Sequence, residues 1–258
     1  MLNTIRHGTP TPAPSLLIAH GLFGSARNWG VIARRLSESR EVIAVDMRNH
    51  AASPWYPTHS YADLADDLAE VIEAEDGGPV DVLGHSMGGK SAMMLALSRP
   101  GLVRRLIVAD IAPVAYGHTQ AHVAKAMLAI DLSDVSSRAE VAEKMGLADP
   151  ATSSFVLQSL DMTERRWRLN LDVLLAEMDK ILGFPDVAGV FEGPVLFLTG
   201  ALSHYVLPEH RTRIKELFPK ARFAGIPGAG HWLHADKPRE TEAAVRIFLD
   251  MAAASESG

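Results

Sequence analysis

Gly84-His85-Ser86-Met87-Gly88 places a serine between glycines, just after an apolar run and just before a helical pattern. A hydroxyl on a sharp turn between a strand and a helix is exposed for attack on a carbonyl. The flanking glycines let the backbone take the strained conformation that such a turn demands. The helix that starts there directs backbone N–H groups and a positive dipole end toward a developing oxyanion. Taken alone, the same five residues also describe a serine that caps a helix and merely turns the chain. The chemical reading therefore rests on partners elsewhere.

A nucleophilic serine needs a base. His231, in Gly228-Ala229-Gly230-His231-Trp232, follows the last apolar run and lies in a glycine-rich loop late in the chain. His234 is the rival, ranked behind because the glycines precede His231. An oxyanion needs two backbone amides. Met87, directly after the serine, supplies one. His20-Gly21-Leu22-Phe23-Gly24 follows the apolar Leu16–Ala19, which makes the Leu22 amide the second choice of donor site and Phe23 the reserve. The imidazole also needs an acid to fix its tautomer. Asp110 ends the run from Arg105 to Ala109, at the carboxyl end of a central strand, where sites of α/β sheets cluster. Glu209 is the competing carboxylate, placed at the start of a helix. Asp46 also ends a strand, but Asp46-Met47-Arg48-Asn49-His50 reads as a hydrogen-bonded turn with Arg48 as its partner. His85, Lys90 and Arg48 read as residues that brace the turn or cover the surface.

The elements that must hold these groups follow from hydrophobic periodicity. Short, nearly unbroken apolar runs at 16–19, 42–45, 80–83, 106–109 and 195–199 suit strands buried on both faces of a parallel sheet. Residues 222–226 add a last strand and 5–7 a fraying first one. Helical patterns at 29–36, 61–75, 90–98, 210–217 and 238–251 alternate with them, which implies right-handed crossovers and a doubly wound sheet. From 116 to 190 the rhythm breaks. Only helical patterns occur there, at 121–130, 138–145 and 171–182, punctuated by Pro150 and Pro185. A helical insertion is the expectation, since a structureless loop of that length does not suit a compact domain. The core then comprises residues 1–115 and 191–258, with 116–190 as a cap whose Met127, Phe155, Leu160 and Trp167 either line a pocket or pack the cap onto the body. Residues 255–258 read as a disordered tail.

The composition narrows the partners. The chain has 258 residues and a net charge of −6, so a basic face for nucleic acid is not expected. No cysteine is present, which excludes disulfides, thiolate metal sites and a cysteine nucleophile together. No H-E-x-x-H pair or other metal motif is visible, and a serine mechanism needs no cofactor. The N-terminus lacks the apolar core of a signal peptide, and no run is long enough to span a membrane, so a soluble, cytoplasmic protein is the expectation.

With these residues in view, the chain resembles an α/β-hydrolase from His20 to Pro238. More narrowly, His20-Gly21-Leu22-Phe23-Gly24-Ser25, Asp46-Met47-Arg48-Asn49-His50, Gly84-His85-Ser86-Met87-Gly88-Gly89-Lys90 and Asp110-Ile111-Ala112-Pro113 resemble the small YbfF-type serine esterases. The resemblance implies an α/β-hydrolase fold, a mostly parallel doubly wound sheet with a helical cap inserted after the sixth strand. It implies a serine esterase acting on small-molecule acyl esters, with acyl-CoA thioesters within the same chemistry. It also implies a triad of Ser86, His231 and an acid on the strand before the cap, matching Asp110. In many such folds the acid follows the strand after the insertion; that position holds Ser203. A second departure is Ala51, where the pattern after Asn49-His50 has glycine. A cofactor-free perhydrolase or haloperoxidase and a carbon–carbon bond hydrolase use the same triad. A non-catalytic binding protein on this fold would be expected to lack one of its members.

Overall fold

Side chains along the central strands are buried on both sides, and this is what builds one sheet between two helical layers. The computed structural model describes residues 1–75 and 78–254; the expected tail at 255–258 lies outside the described residues. The chain order is β1 (Thr4–His7), β2 (Leu16–Ala19), α1 (Gly30–Leu36), β3 (Val42–Val45), α2 (Tyr61–Glu73), β4 (Val80–His85), α3 (Met87–Ser98) and β5 (Val103–Ala109). Then come α4 (Ala121–Leu128), α5 (Arg138–Met145), α6 (Pro150–Val156), β6 (Leu160–Asp161), β7 (Arg166–Trp167), α7 (Leu171–Ala176) and α8 (Met178–Leu182). The chain returns through β8 (Val195–Gly200), α9 (His210–Leu217), β9 (Ala221–Ile226), α10 (Leu233–Asp236) and α11 (Pro238–Ala254).

Seven strands form one sheet in the order β1-β3-β2-β4-β5-β8-β9. Only β1 is antiparallel, and it caps the edge beside β3. Leu16, Ile18, Ile107 and Leu198 face a core closed by Ile32 and Leu36 of α1 and by Val245 and Phe248 of α11. Leu17, Val82, Val108 and Phe197 face the opposite core, closed by Leu64 and Leu68 of α2 and Ile214 of α9. Each such side chain contributes about 2 kcal/mol by leaving water. Among the described residues, no helix is long and apolar enough to cross a membrane.

The insertion follows the fifth strand of the chain, not the sixth as expected. The segment before β2 holds Gly8, Pro10, Pro12 and Pro14. Prolines remove ladder donors, so no further strand forms there. The insertion also contains a two-residue antiparallel hairpin, Leu160 opposite Trp167 and Asp161 opposite Arg166. Strands that short carry no readable alternation. Met127, Leu160 and Trp167 are buried within the insertion, the Trp167 indole N–H donating to the Met127 carbonyl at 3.0 Å. They pack the insertion itself.

The Asp46 turn is structural, but its partner differs from expectation. Asp46 accepts from the Ala26 amide (2.8 Å), the Ala52 amide (3.2 Å) and Asn3 Nδ2 (2.8 Å). Arg48 instead makes a two-pronged pair with Asp67 of α2, at 2.5 and 2.8 Å. The fork geometry of guanidinium matches a carboxylate one helix away, and no sequence spacing encodes that contact. Three residues on from Arg48, Ala51 sits at φ 48°, in the left-handed region. Its amide donates to Arg168 O of the insertion at 2.7 Å, which holds it there.

A side chain at positive φ costs about 1–2 kcal/mol, part of which glycine returns through a freer unfolded chain. Ala51→Gly is expected to raise stability by about 0.5 kcal/mol, read from urea midpoints at constant m. A loss of about 1 kcal/mol would show that Ala51 is unstrained.

Candidate active site

β4 and β5 pair in parallel, His85 opposite Ala109, so the residues that follow them emerge side by side at the carboxyl edge. Ser86 and Asp110 are those residues. The Ser86 amide donates to Ala109 O at 3.0 Å, and the Asp110 amide to Leu198 O of β8 at 2.9 Å. Ser86 has φ 52° and ψ −119°, a strained turn from strand into α3. The glycines make that turn fit. A Cβ on Gly84 would lie 2.2 Å from Gly88 O, and one on Gly88 would lie 2.4 Å from Ala19 O. No side chain fits at either contact.

His231 arrives from the loop after β9. Its Nδ1–H donates to Asp110 Oδ2 at 2.8 Å, and its Nε2 accepts from Ser86 Oγ at 3.0 Å. The Asp110 carboxylate is wholly buried. It also accepts the Gly200 amide on Oδ1 at 3.0 Å and the Ser203 hydroxyl on Oδ2 at 2.5 Å. Four lone-pair directions are thus matched by three donors, the condition for burying an ionised carboxylate. Asp110 itself has φ 53°, a conformation that aspartate tolerates better than most residues. The structure therefore brings Ser86, His231 and Asp110 together. It leaves Glu209 exposed at the start of α9, away from them. His234 is buried under Trp29, ring centroids 4.5 Å apart, and does not bond Ser86.

The two amides expected at the oxyanion position are those of Leu22 and Met87. Both Leu22 and Met87 line the cavity that contains Ser86. The Phe23 amide is committed elsewhere, donating to His50 Nε2 at 3.1 Å. This removes the reserve donor and leaves Leu22. His50 Nδ1–H donates in turn to Arg48 O at 2.8 Å. His20 clamps the same loop, its Nδ1–H to Gly21 O (2.8 Å) and its Nε2 accepting from the Met47 amide (2.9 Å). Burial lowers the His20 imidazole to about 4 and that of His50 to about 3. His85 is held neutral by burial as well, and its Nε2–H donates to the His231 carbonyl at 2.9 Å.

Sequence reasoning named most of these residues without their contacts and missed Tyr205. Ser203, in the loop after β8, donates its hydroxyl to Asp110. Tyr205, two residues on, stacks on His231 with ring centroids 3.9 Å apart and planes 19° from parallel. His20 and His50 belong to the quoted motifs, but only the tertiary structure shows which amides they hold. Lys90 lies wholly buried one turn into α3, and burial lowers its amine to about 7. It donates to Leu182 O (2.8 Å) and Gly183 O (2.5 Å), tethering the end of the insertion to the helix that carries Ser86.

The cavity over Ser86 measures about 280 Å³. Leu22, Met87 and Ile111 line it from the core, and Phe155, Val156 and Leu182 from the insertion. Of the four apolar residues expected to line it, only Phe155 does; the others pack inside the insertion. Phe155 meets Trp232 of the His231 loop, ring centroids 5.4 Å apart.

A doubly wound sheet of this order, with a serine on a strained strand-to-helix turn at its carboxyl edge, defines an α/β-hydrolase. The chain belongs to the α/β-hydrolase fold family, whose sequence model matches residues 14–238. It is 40% identical over 250 residues to the mouse sn-1-specific diacylglycerol lipase ABHD11, covering 92% of this chain and 81% of that one. It is 37% identical over 239 residues to the esterase YbfF of Escherichia coli K12, covering 91% and 92%. A solved marine microorganism esterase, 35% identical, superposes with a TM-score of 0.90 over 96% of this chain and 98% of that one.

The buried histidines predict an acid-sensitive fold. An unfolded histidine takes up its proton near pH 6.5, whereas folded His20 and His50 resist it until about 4 and about 3. Between those values the unfolded state binds more protons, so stability falls as pH falls. The loss should be on the order of 3 kcal/mol from His20 alone by pH 4. Urea midpoints measured from pH 7.5 down to 4.5 should drop steadily. A flat profile would show that these imidazoles titrate freely in the folded protein.

Proposed function

We propose that this carboxylic ester hydrolase works through an acyl-enzyme on Ser86, with His231 as base and Asp110 as acid. The observation that carries the reading is the unbroken hydrogen-bond chain from Ser86 Oγ through His231 to Asp110, at 3.0 and 2.8 Å. His231 Nε2 accepts the Ser86 proton as Oγ attacks the ester carbonyl. The Leu22 and Met87 amides hold the oxyanion of the tetrahedral intermediate, with the N-terminal end of α3 behind Met87. Asp110 fixes the imidazole with its proton on Nδ1 and stabilises the imidazolium. Imidazolium then protonates the leaving alkoxide, and water repeats the sequence to release the acid. A thiolate can leave by the same route, so acyl thioesters fall within this chemistry.

The insertion acts as a cap. Phe155, Val156, Ile181 and Leu182 supply an apolar wall over the serine. Such a wall selects acyl shape and keeps bulk water from the intermediate. The acyl group occupies this cavity, and the relatives named as lipase and esterases support a small-molecule acyl ester as substrate.

Ser86→Ala should lower kcat by on the order of 10⁶ and abolish labelling by a fluorophosphonate, a probe that requires an activated serine. Asp110→Asn should keep the fold yet lose roughly 10⁴-fold in kcat through the wrong tautomer of His231. Glu209→Gln should behave as wild type. Full activity in Asp110→Asn with collapse in Glu209→Gln would place the acid on the other strand.

For the cap, Phe155→Ala should raise kcat/KM for p-nitrophenyl octanoate relative to acetate by about tenfold, because it deepens the cavity. An unchanged chain-length profile would mean that the cap does not shape the acyl pocket.

A further inference from the structure

The loop after β8 serves both members of the His–Asp pair. Ser203 Oγ donates to Asp110, and Tyr205, two residues later, covers one face of the His231 ring. Tyr205 is fixed at three points. Its amide donates to Ser203 Oγ at 3.3 Å. Its carbonyl accepts from Tyr116 Oη at 2.7 Å, and that same hydroxyl accepts the Ala112 amide at 2.8 Å. Its own hydroxyl meets His118 Nε2 at 2.9 Å. Tyr116 and His118 lie at the start of the insertion, so the ring that stacks on His231 is held by the cap as well as by the core.

We propose that Tyr205 is a positioning residue for His231. Its ring holds the imidazole in the plane that reaches Ser86 and Asp110 together, stabilises the imidazolium through its π face, and ties that geometry to the cap. The proposal rests on the Ser86–His231 reading and deepens it. A ring stacked at 3.9 Å and 19° leaves the imidazole no room to tilt out of line toward Tyr205. The His85 ring is also near, its centroid 4.9 Å away, and its Nε2–H donates to the His231 carbonyl. The imidazole is thus stacked against one ring while its nitrogens bond Ser86 and Asp110.

Charge follows from the same contacts. The titratable groups around His231 are Asp110 from the end of β5, His85 from β4, His234 from α10, His118 from the insertion and Tyr205 itself. Burial holds His85 and His234 neutral, and raises the Tyr205 phenol above its usual range. Burial lowers the His118 imidazole too, so among the described residues Asp110 is the carboxylate that faces His231, and the Tyr205 π face is the second source of stabilisation for a cationic imidazole. The position where other chains of this fold hold the acid is filled here by a hydroxyl that bonds the relocated acid. The freed loop carries an aromatic clamp for the base.

The test compares wild type with Tyr205→Phe, Tyr205→Leu and Tyr205→Met. Ester hydrolysis and the rate of Ser86 labelling by a fluorophosphonate are followed from pH 5 to 9. Losing the π face removes stabilisation of the imidazolium, so the acid-limb pKa should fall by about half a unit in Tyr205→Leu. The kcat for p-nitrophenyl acetate should fall about tenfold with KM little changed, the pattern of a misplaced base. Tyr205→Phe keeps the ring and should keep the wild-type acid limb. Tyr205→Met, closer in volume, should repeat the leucine result and serves if the leucine variant does not fold. An acid limb that stays put or moves up in the non-aromatic variants overturns the proposal, because the ring would then only shield the imidazole from water. Absence of labelling in wild type would instead defeat the Ser86 reading itself.

Discussion

The parallel pairing of β4 with β5 is the constraint on which the site depends. It sets His85 opposite Ala109, and the next residue on each strand leaves the sheet at the same level. Both of those residues, Ser86 and Asp110, have positive φ. Two strained residues on neighbouring strands are costly alone, on the order of 1–3 kcal/mol each. They persist because the surrounding hydrogen bonds over-determine them. The Ser86 amide is tied to β5 and the Asp110 amide to β8, so the strain is held by the ladder of the sheet.

His231 completes the site by tertiary contact alone. It lies 121 residues from Asp110 and 145 from Ser86 in the chain. Its ring is located by a carboxylate at Nδ1, a hydroxyl at Nε2 and the Tyr205 ring stacked on it. The carboxylate, in turn, is buried only because Gly200 and Ser203 supply further donors. Removing any of these donors leaves a partly unsatisfied charge in a dry site, which costs more than the bond itself.

The insertion is fastened to the core at several points close to the serine. Lys90 holds its end at Leu182 and Gly183, and the buried Tyr61 hydroxyl donates to Ile181 O at 2.6 Å. On the opposite side the Asn170 amide donates to Asn49 O at 3.0 Å, and Asn170 Nδ2 to Asn49 Oδ1 at 3.1 Å. Asn49 and His50 thus divide their work. One holds the cap and the other holds the amide of Phe23, so the loop carrying Leu22 and the roof above it share a single anchor.

The sequence by itself determined the doubly wound sheet, because strands buried on both faces must be short apolar runs and amphipathic helices must alternate with them. It also determined the serine turn, since steric crowding at Gly84 and Gly88 admits no side chain. It pointed to His231 and Asp110 through their places after strands. What it left open is what depends on distant partners. The partner of Arg48, the commitment of the Phe23 amide to His50 and the stacking of Tyr205 on His231 have no sequence periodicity. Met127, Leu160 and Trp167 carried an apolar signal, which reports burial but not the surface against which a side chain is buried. Only tertiary packing decided that they close the insertion's own core while Phe155 faces the serine. A hydrophobic pattern is local, whereas a hydrogen bond or a ring contact between residues a hundred positions apart is fixed by the fold as a whole.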